Sequence, residues 1–213
     1  METDHVALKT LALATAGVLA VEALARWAIL RGLAPPLAGI GAARALDIAL
    51  MAALISTGPS GWRSVGIGRH GWAAGLGRGL LWSAGFGALA ALGFAAAHLA
   101  GLEPLRLIRP AAGARGAEAV LFFAVGAFIS PVAEEIYFRG ILYGFLRRWG
   151  FWPALVLSTV VFAFLHPGPA GIPFTQIVGG LLFGAAFEIE KRLIVPITIH
   201  VLGNLAIFSL AYV

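Results

Sequence analysis

Cysteine is absent from this 213-residue chain, which excludes a disulfide framework, thiolate metal sites and a cysteine nucleophile. Charge is scarce as well. Asp, Glu, Lys and Arg together supply 12% of the residues against 60% hydrophobic ones, about half the charged share usual in soluble domains. With a mean hydropathy of +0.92, the composition is that of an integral membrane protein. No basic tract exists either. The formal charge is +5, but the arginines are scattered between apolar runs, a pattern that suits anionic lipid headgroups and excludes nucleic acid as the expected partner. A basic leader is also missing: Glu2 and Asp4 precede the first apolar stretch, and Glu22 and Arg26 interrupt it. A retained first helix is expected instead of a cleaved signal peptide.

Long apolar runs are what the chain does have. Taking about 20 apolar residues as the length that crosses a hydrocarbon core, seven stretches qualify, near residues 6–30, 37–57, 79–101, 117–147, 151–166, 172–190 and 193–212. The expected fold is all-α: a polytopic transmembrane helical bundle of about seven spans forming one membrane domain over 1–213. The count becomes eight if the fourth stretch is two pieces. Pro131 is the reason to expect a break there, because it removes a backbone donor and strands the carbonyl of Ala127. Pro153 and Pro173 fall at helix starts and Pro196 in a first turn, where a missing donor costs little. Residues 58–78 open with Gly58-Pro59 and carry Arg63, Arg69 and Arg78 with Trp62 and Trp72 and no acid. That composition reads as an interfacial loop or short surface helix. Lys9, Arg63, Arg69, Arg78, Arg147, Arg148, Lys191 and Arg192 are expected at one membrane face, the cytoplasmic one by the positive-inside rule, with Arg31, Arg106, Arg109 and Arg115 at the other.

Three polar clusters interrupt the oily stretches: Glu134-Glu135-x-x-x-Arg139, Phe162-x-x-x-His166 and His200-x-x-x-Asn204. An ionised side chain near the bilayer centre costs roughly 3 kcal/mol, so two glutamates and an arginine in adjacent turns cost roughly 9 gross. That rivals a typical net folding free energy of about 5 to 15 kcal/mol. Such groups are normally housed in a protein-lined or watered cavity, and the default reading is functional. Glu135 and Arg139 lie four apart on one helix face, acid first, the favourable order for an ion pair. Glu134 points about 100° away, toward a different neighbour. Peptide hydrolysis needs a base to activate water and donors to stabilise the oxyanion. Here a carboxylate, two imidazoles and an amide are sufficient parts, and no serine or threonine stands beside a base as a nucleophile. Taken singly, His166, or His200 with Asn204, would more often be packing groups that glue helices. A structural Glu135–Arg139 pair would leave Glu134 as an unexplained extra charge.

The ordered trio resembles the three signature motifs of the CPBP family, which comprises CAAX prenyl proteases and bacteriocin-processing intramembrane proteases and is also called the Abi family. In this chain the motifs read AEEIYFRG at 133–140, FAFLH at 162–166 and HVLGN at 200–204. The resemblance places a catalytic core at about 117–213 and matches nothing in 1–116, whose helices have no assigned role. It implies Glu134 and His166 as the pair that activates water, His200 and Asn204 as oxyanion stabilisers, and Glu135 and Arg139 as support. It also implies an all-helical membrane fold with a cavity within the bilayer.

No cofactor is expected, with zinc as the alternative: His166, His200 and Glu134 could supply three ligands, although the sharper His-Glu-x-x-His sign is missing. The reading is an intramembrane endopeptidase acting on a membrane-associated protein or peptide near one of its termini. Prenylated CAAX tails, bacteriocin or peptide maturation, and trimming of C-terminal sorting segments are the substrate options. Abundant Ala, Gly and Arg suggest a GC-rich bacterial gene and hence the bacterial inner membrane. Two rivals remain, a proton-coupled transporter, since buried Glu, Arg and His also mark ion pathways, and a non-catalytic scaffold or immunity factor. Glu22 with Arg26, and Arg44 with Asp47, are spaced for intrahelical structural pairs. Gly180-x-x-x-Gly184 is spaced for close helix packing.

Overall fold

The computed structural model describes residues 6–58, 61–68, 71–103, 115–166 and 173–212. Seven helices occupy the seven apolar stretches: α1 (Leu8–Leu30), α2 (Pro36–Thr57), α3 (Trp72–Leu99), α4 (Ala117–Trp149), α5 (Phe151–Phe164), α6 (Phe174–Glu190) and α7 (Ile194–Ser209). Short 3-10 turns lie at Gly61–Val65 and Leu210–Tyr212 among the described residues. The first four helices are long and apolar enough to cross a membrane. The last three have 14, 17 and 16 residues and, at about 1.5 Å per residue, fall short of a ~30 Å hydrocarbon core. The expected turn at Pro167-Gly168-Pro169, together with Pro59, Arg69, Arg106 and Arg109, lies outside the described residues.

Two expectations about α3 and α4 need correction. The surface segment is shorter than composition suggested, because α3 already begins at Trp72. Without an alternation of polar and apolar residues to mark a boundary, an amphiphilic first helical turn reads like a loop. The fourth stretch does not break at Pro131. It accommodates the proline by widening, with π-helical turns at Ala124–Ile129 and Ile136–Tyr143 on either side of an α-helical turn, Ser130–Glu135. In the wide register the Ser130 N–H donates to the carbonyl of Val125. The next carbonyl, Gly126, then faces position 131, where proline has no N–H to give. The stranded acceptor is therefore Gly126, not Ala127.

Helix α4 is the central rod, 39% of its most apolar window being buried against 6% for α1 and none for α3. It packs against α2, α5, α6 and α7, while α1 lies on α2, α3 on α7, and α5 on α6. The core at one end of the bundle joins Met51 and Ile55 of α2, Val65, Ile141 and Tyr143 of α4, Leu155, Phe187 and Leu193. Outward-facing leucines such as Leu19 and Leu24 on α1 and Leu81, Leu89 and Leu92 on α3 are exposed. Such patches mark a membrane-facing surface. Gly150 turns the chain between α4 and α5 at φ +105°, a conformation that side chains resist.

Three of the basic residues expected at one membrane face meet in ion pairs at the end of α6. Arg147 and Lys191 pair with Glu188 at 2.8 and 2.6 Å, and Arg78 pairs with Glu190 at 2.8 Å. Tyr143 and Trp82 donate to the same two carboxylates at 2.8 and 3.0 Å. One polar rim thus gathers Arg78, Arg147 and Lys191.

Candidate active site

The central turn of α4, Ser130–Glu135, carries both glutamates, and both are buried. The predicted pairing holds: Arg139 Nη1 lies 2.9 Å from Glu135 Oε1. Both residues are fully enclosed. The guanidinium sits 4.9 Å from the Phe162 ring centroid and 5.1 Å from that of Phe183, so aromatic faces of α5 and α6 replace water around the cation. Its Nη2 reaches the carbonyl of Gly180 at 3.4 Å. Gly180 also lets α5 approach α6, since a Cβ there would meet Thr159 Cγ2 at 2.7 Å. The small-residue spacing on α6 therefore does serve close packing.

Glu134, one residue earlier on the rod, faces the two histidines. Its Oε1 lies 3.6 Å from His166 Nε2 and its Oε2 lies 3.8 Å from His200 Nε2. Three helices of the bundle thereby bring Glu134, His166 and His200 to one place. The separations exceed direct hydrogen bonds.

Each imidazole is anchored through its other nitrogen. His166 follows the end of α5, where the last carbonyls have no helical partners; its own N–H turns back to Ala163 at 3.1 Å. Its ring Nδ1 donates to the carbonyl of Phe162 at 2.8 Å. Because a carbonyl only accepts, Nδ1 carries the proton, and Nε2 of the neutral ring is left as an acceptor facing Glu134. His200 Nδ1 lies 2.7 Å from Glu135 Oε1, the oxygen that also takes Arg139. The Phe183 ring stacks on that of His200 at 4.6 Å and 25°. Glu135 is thus more than a counter-ion to arginine: it fixes the orientation of His200. Glu135 Oε2 and Arg139 Nε remain buried without hydrogen-bond partners.

Asn204 is placed differently from the other motif residues. Its Nδ2 donates to the stranded carbonyl of Gly126 at 2.9 Å, filling the vacancy that Pro131 leaves in α4. One amide hydrogen is spent on that bond and the second remains. Side-chain exposure grades the group: His166 30%, Glu134 10%, His200 7%. His166 marks the open side.

Among the described residues, no group of three or more His, Cys, Asp or Glu side chains is arranged to hold a metal ion. Sequence reasoning missed Phe183 and the Gly126 carbonyl. An apolar residue in an apolar helix carries no signal, and the carbonyl could be found only from the helical register around Pro131.

Residues 116–206 match a family model described as Type II CAAX prenyl endopeptidase Rce1-like. The membrane-embedded CAAX protease MroQ of Staphylococcus aureus (strain USA300) is 35% identical to this chain over 91 residues, an alignment that covers 39% of this chain and 36% of that protein. The similarity thus spans about a third of the relative's length. No solved structure matches the chain.

Proposed function

We propose that this protein is an intramembrane endopeptidase of the CPBP kind in which Glu134 and His166 activate a water molecule, a reading supported by the match of residues 116–206 to the Rce1-like CAAX prenyl endopeptidase model. The observation that carries the reading is the meeting of Glu134 Oε1 and His166 Nε2 at 3.6 Å. Both are acceptors when the ring is neutral, so they cannot satisfy one another. A water molecule with two O–H groups satisfies both and is held with its lone pairs toward the substrate.

Glu134 then takes the water proton as the oxygen attacks the scissile carbonyl, and returns it to the departing amine. His200 donates its Nδ1 proton to Glu135. Its Nε2 faces the Glu134 side of the site and, when it carries hydrogen, is a donor to the developing oxyanion. The second amide hydrogen of Asn204 is the further donor. The buried surroundings strengthen each of these interactions.

The substrate is a protein or peptide presented at the membrane, cut near a terminus. Prenylated CAAX tails, secreted-peptide precursors and C-terminal membrane-sorting segments are the candidate classes. Zinc chemistry would draw on the same Glu134, His166 and His200, the ion supplying Lewis acidity to water and carbonyl. Activity that survives chelation, in protein free of bound metal, is the expected result.

The test compares wild-type protein with Glu134→Gln in host membranes, with new peptide termini identified by mass spectrometry. Fragments that arise only with wild type, while both proteins accumulate equally, are expected. A Glu134→Gln protein that generates the same termini, or a wild type that generates none while moving protons across proteoliposomes, sinks the protease reading and favours the transporter.

A further inference from the structure

A second ionisable cluster lies in the α1–α2 pair, in the part of the chain that carries no motif. Asp47 sits about 15 Å along the helix from either end of α2. Arg44 spans two acids: its Nη1 is 3.1 Å from Glu22 Oε1 and 3.5 Å from Asp47 Oδ2. The interhelical contact to Glu22 supplements the intrahelical pair expected from sequence.

The cluster is incompletely satisfied. Asp47 is 1% exposed, yet neither of its carboxyl oxygens accepts a hydrogen bond, and Glu22 Oε1 is also buried without one. The two carboxyl groups are nevertheless near neighbours, since both lie against the same Arg44 Nη1. Two carboxylates cannot bond together, because each only accepts; a proton on one of them makes the bond. Charge counting agrees. Two carboxylates against one guanidinium leave a surplus negative charge among apolar helices, and a single proton cancels it. A metal or ammonium ion would need room beside Asp47, and its enclosure leaves almost none.

We propose that Glu22 and Asp47 share one proton in the resting protein, forming with Arg44 a neutral proton-binding triad within the membrane. It adjoins the Glu134 site, since α2 packs against the turn Ser130–Glu135. The Arg44 charge lies within electrostatic range of Glu134 and His166. Arg44 from α2 itself faces the carboxyl pair, and Glu134 lies on the α4 turn that packs against α2. Arg26 lies one turn further along α1. Arg63, in the 3-10 turn that packs on α2, is exposed and lies near the helix end. Departure of the shared proton is therefore felt at Glu134 as added negative charge.

Infrared spectroscopy of the full chain in phosphatidylglycerol–phosphatidylcholine vesicles reads the proton directly. The wild type is expected to show a carboxylic-acid carbonyl band at neutral pH. That band should disappear in Asp47→Asn and equally in Glu22→Gln, because each variant leaves one carboxylate paired with Arg44. It should persist in Glu134→Gln. A wild type without the band, or a band that survives both substitutions, overturns the proposal. The coupling has its own readout: the alkaline limb of the cleavage rate should change shape in both variants, and an unchanged limb would sever the triad from the site. The infrared result does not depend on proteolysis, so it stands or falls apart from the enzymatic reading.

Discussion

Substituting Glu135 by leucine isolates what the buried ion pair contributes. Glu135 Oε1 accepts from Arg139 Nη1 at 2.9 Å and from His200 Nδ1 at 2.7 Å. Glu135→Leu leaves an enclosed guanidinium whose remaining polar contact is the Gly180 carbonyl at 3.4 Å. Breaking a buried pair by removing one partner costs about 3–5 kcal/mol. A chain of this size loses roughly 2–4 °C of Tm per kcal/mol, so a fall of about 6–20 °C is expected. Cation–π contacts with Phe162 and Phe183 persist in the variant and leave the cation less than fully uncompensated, which favours the lower half of that range. The double variant Glu135→Leu/Arg139→Met removes both charges and should regain most of the Tm, since an apolar pair of similar volume replaces a buried ion pair at little net cost. Thermal unfolding in detergent, followed by tryptophan fluorescence, provides the assay. Cleavage should stay absent in the double variant, because His200 has lost the acceptor that orients it. A double variant no more stable than the single, or one that regains cleavage, refutes the reasoning.

Asn204→Ala leaves the Gly126 carbonyl without a partner at a cost of about 1–3 kcal/mol, lowering Tm by several degrees. The same change removes an oxyanion donor and should lower kcat roughly 10²- to 10³-fold; a Tm shift with unchanged kcat would confine Asn204 to holding α4. Gly180→Ala drives a Cβ against Thr159 and should cost about 1–3 kcal/mol. Thr159→Ser clears the Cγ2 methyl and should restore the Tm, and failure to do so would mean that the close approach of α5 and α6 is not what Gly180 protects. His166→Asn keeps a polar group at the end of α5 but removes the Nε2 acceptor, so cleavage should fall about 10²- to 10⁴-fold with little loss of Tm.

Hydropathy located the seven described helices, because a lipid-facing rod must be apolar around its circumference, but it set the start of α3 seven residues late. Glu134, Glu135, Arg139, His166 and His200 were legible for the same reason: polar groups in such rods cost too much to be incidental. Contacts between rods were not legible. The bond from His200 to Glu135 spans 65 residues, and nothing in either local pattern announces it. The consequence of Pro131 was misjudged by one residue because an α-helical register was assumed where the chain winds wider. Glu22 and Arg44 likewise belong to different helices, and their contact emerges only from the packing of α1 on α2.

The account turns on Glu134 and His166 acting together on one water molecule, and a double-mutant cycle in cleavage rate measures that most directly. If Glu134→Gln and His166→Asn disable the same water, the double variant is no slower than the slower single one. Rate losses that multiply in the double variant, or a Glu134→Gln protein that cleaves at the wild-type rate, would contradict it.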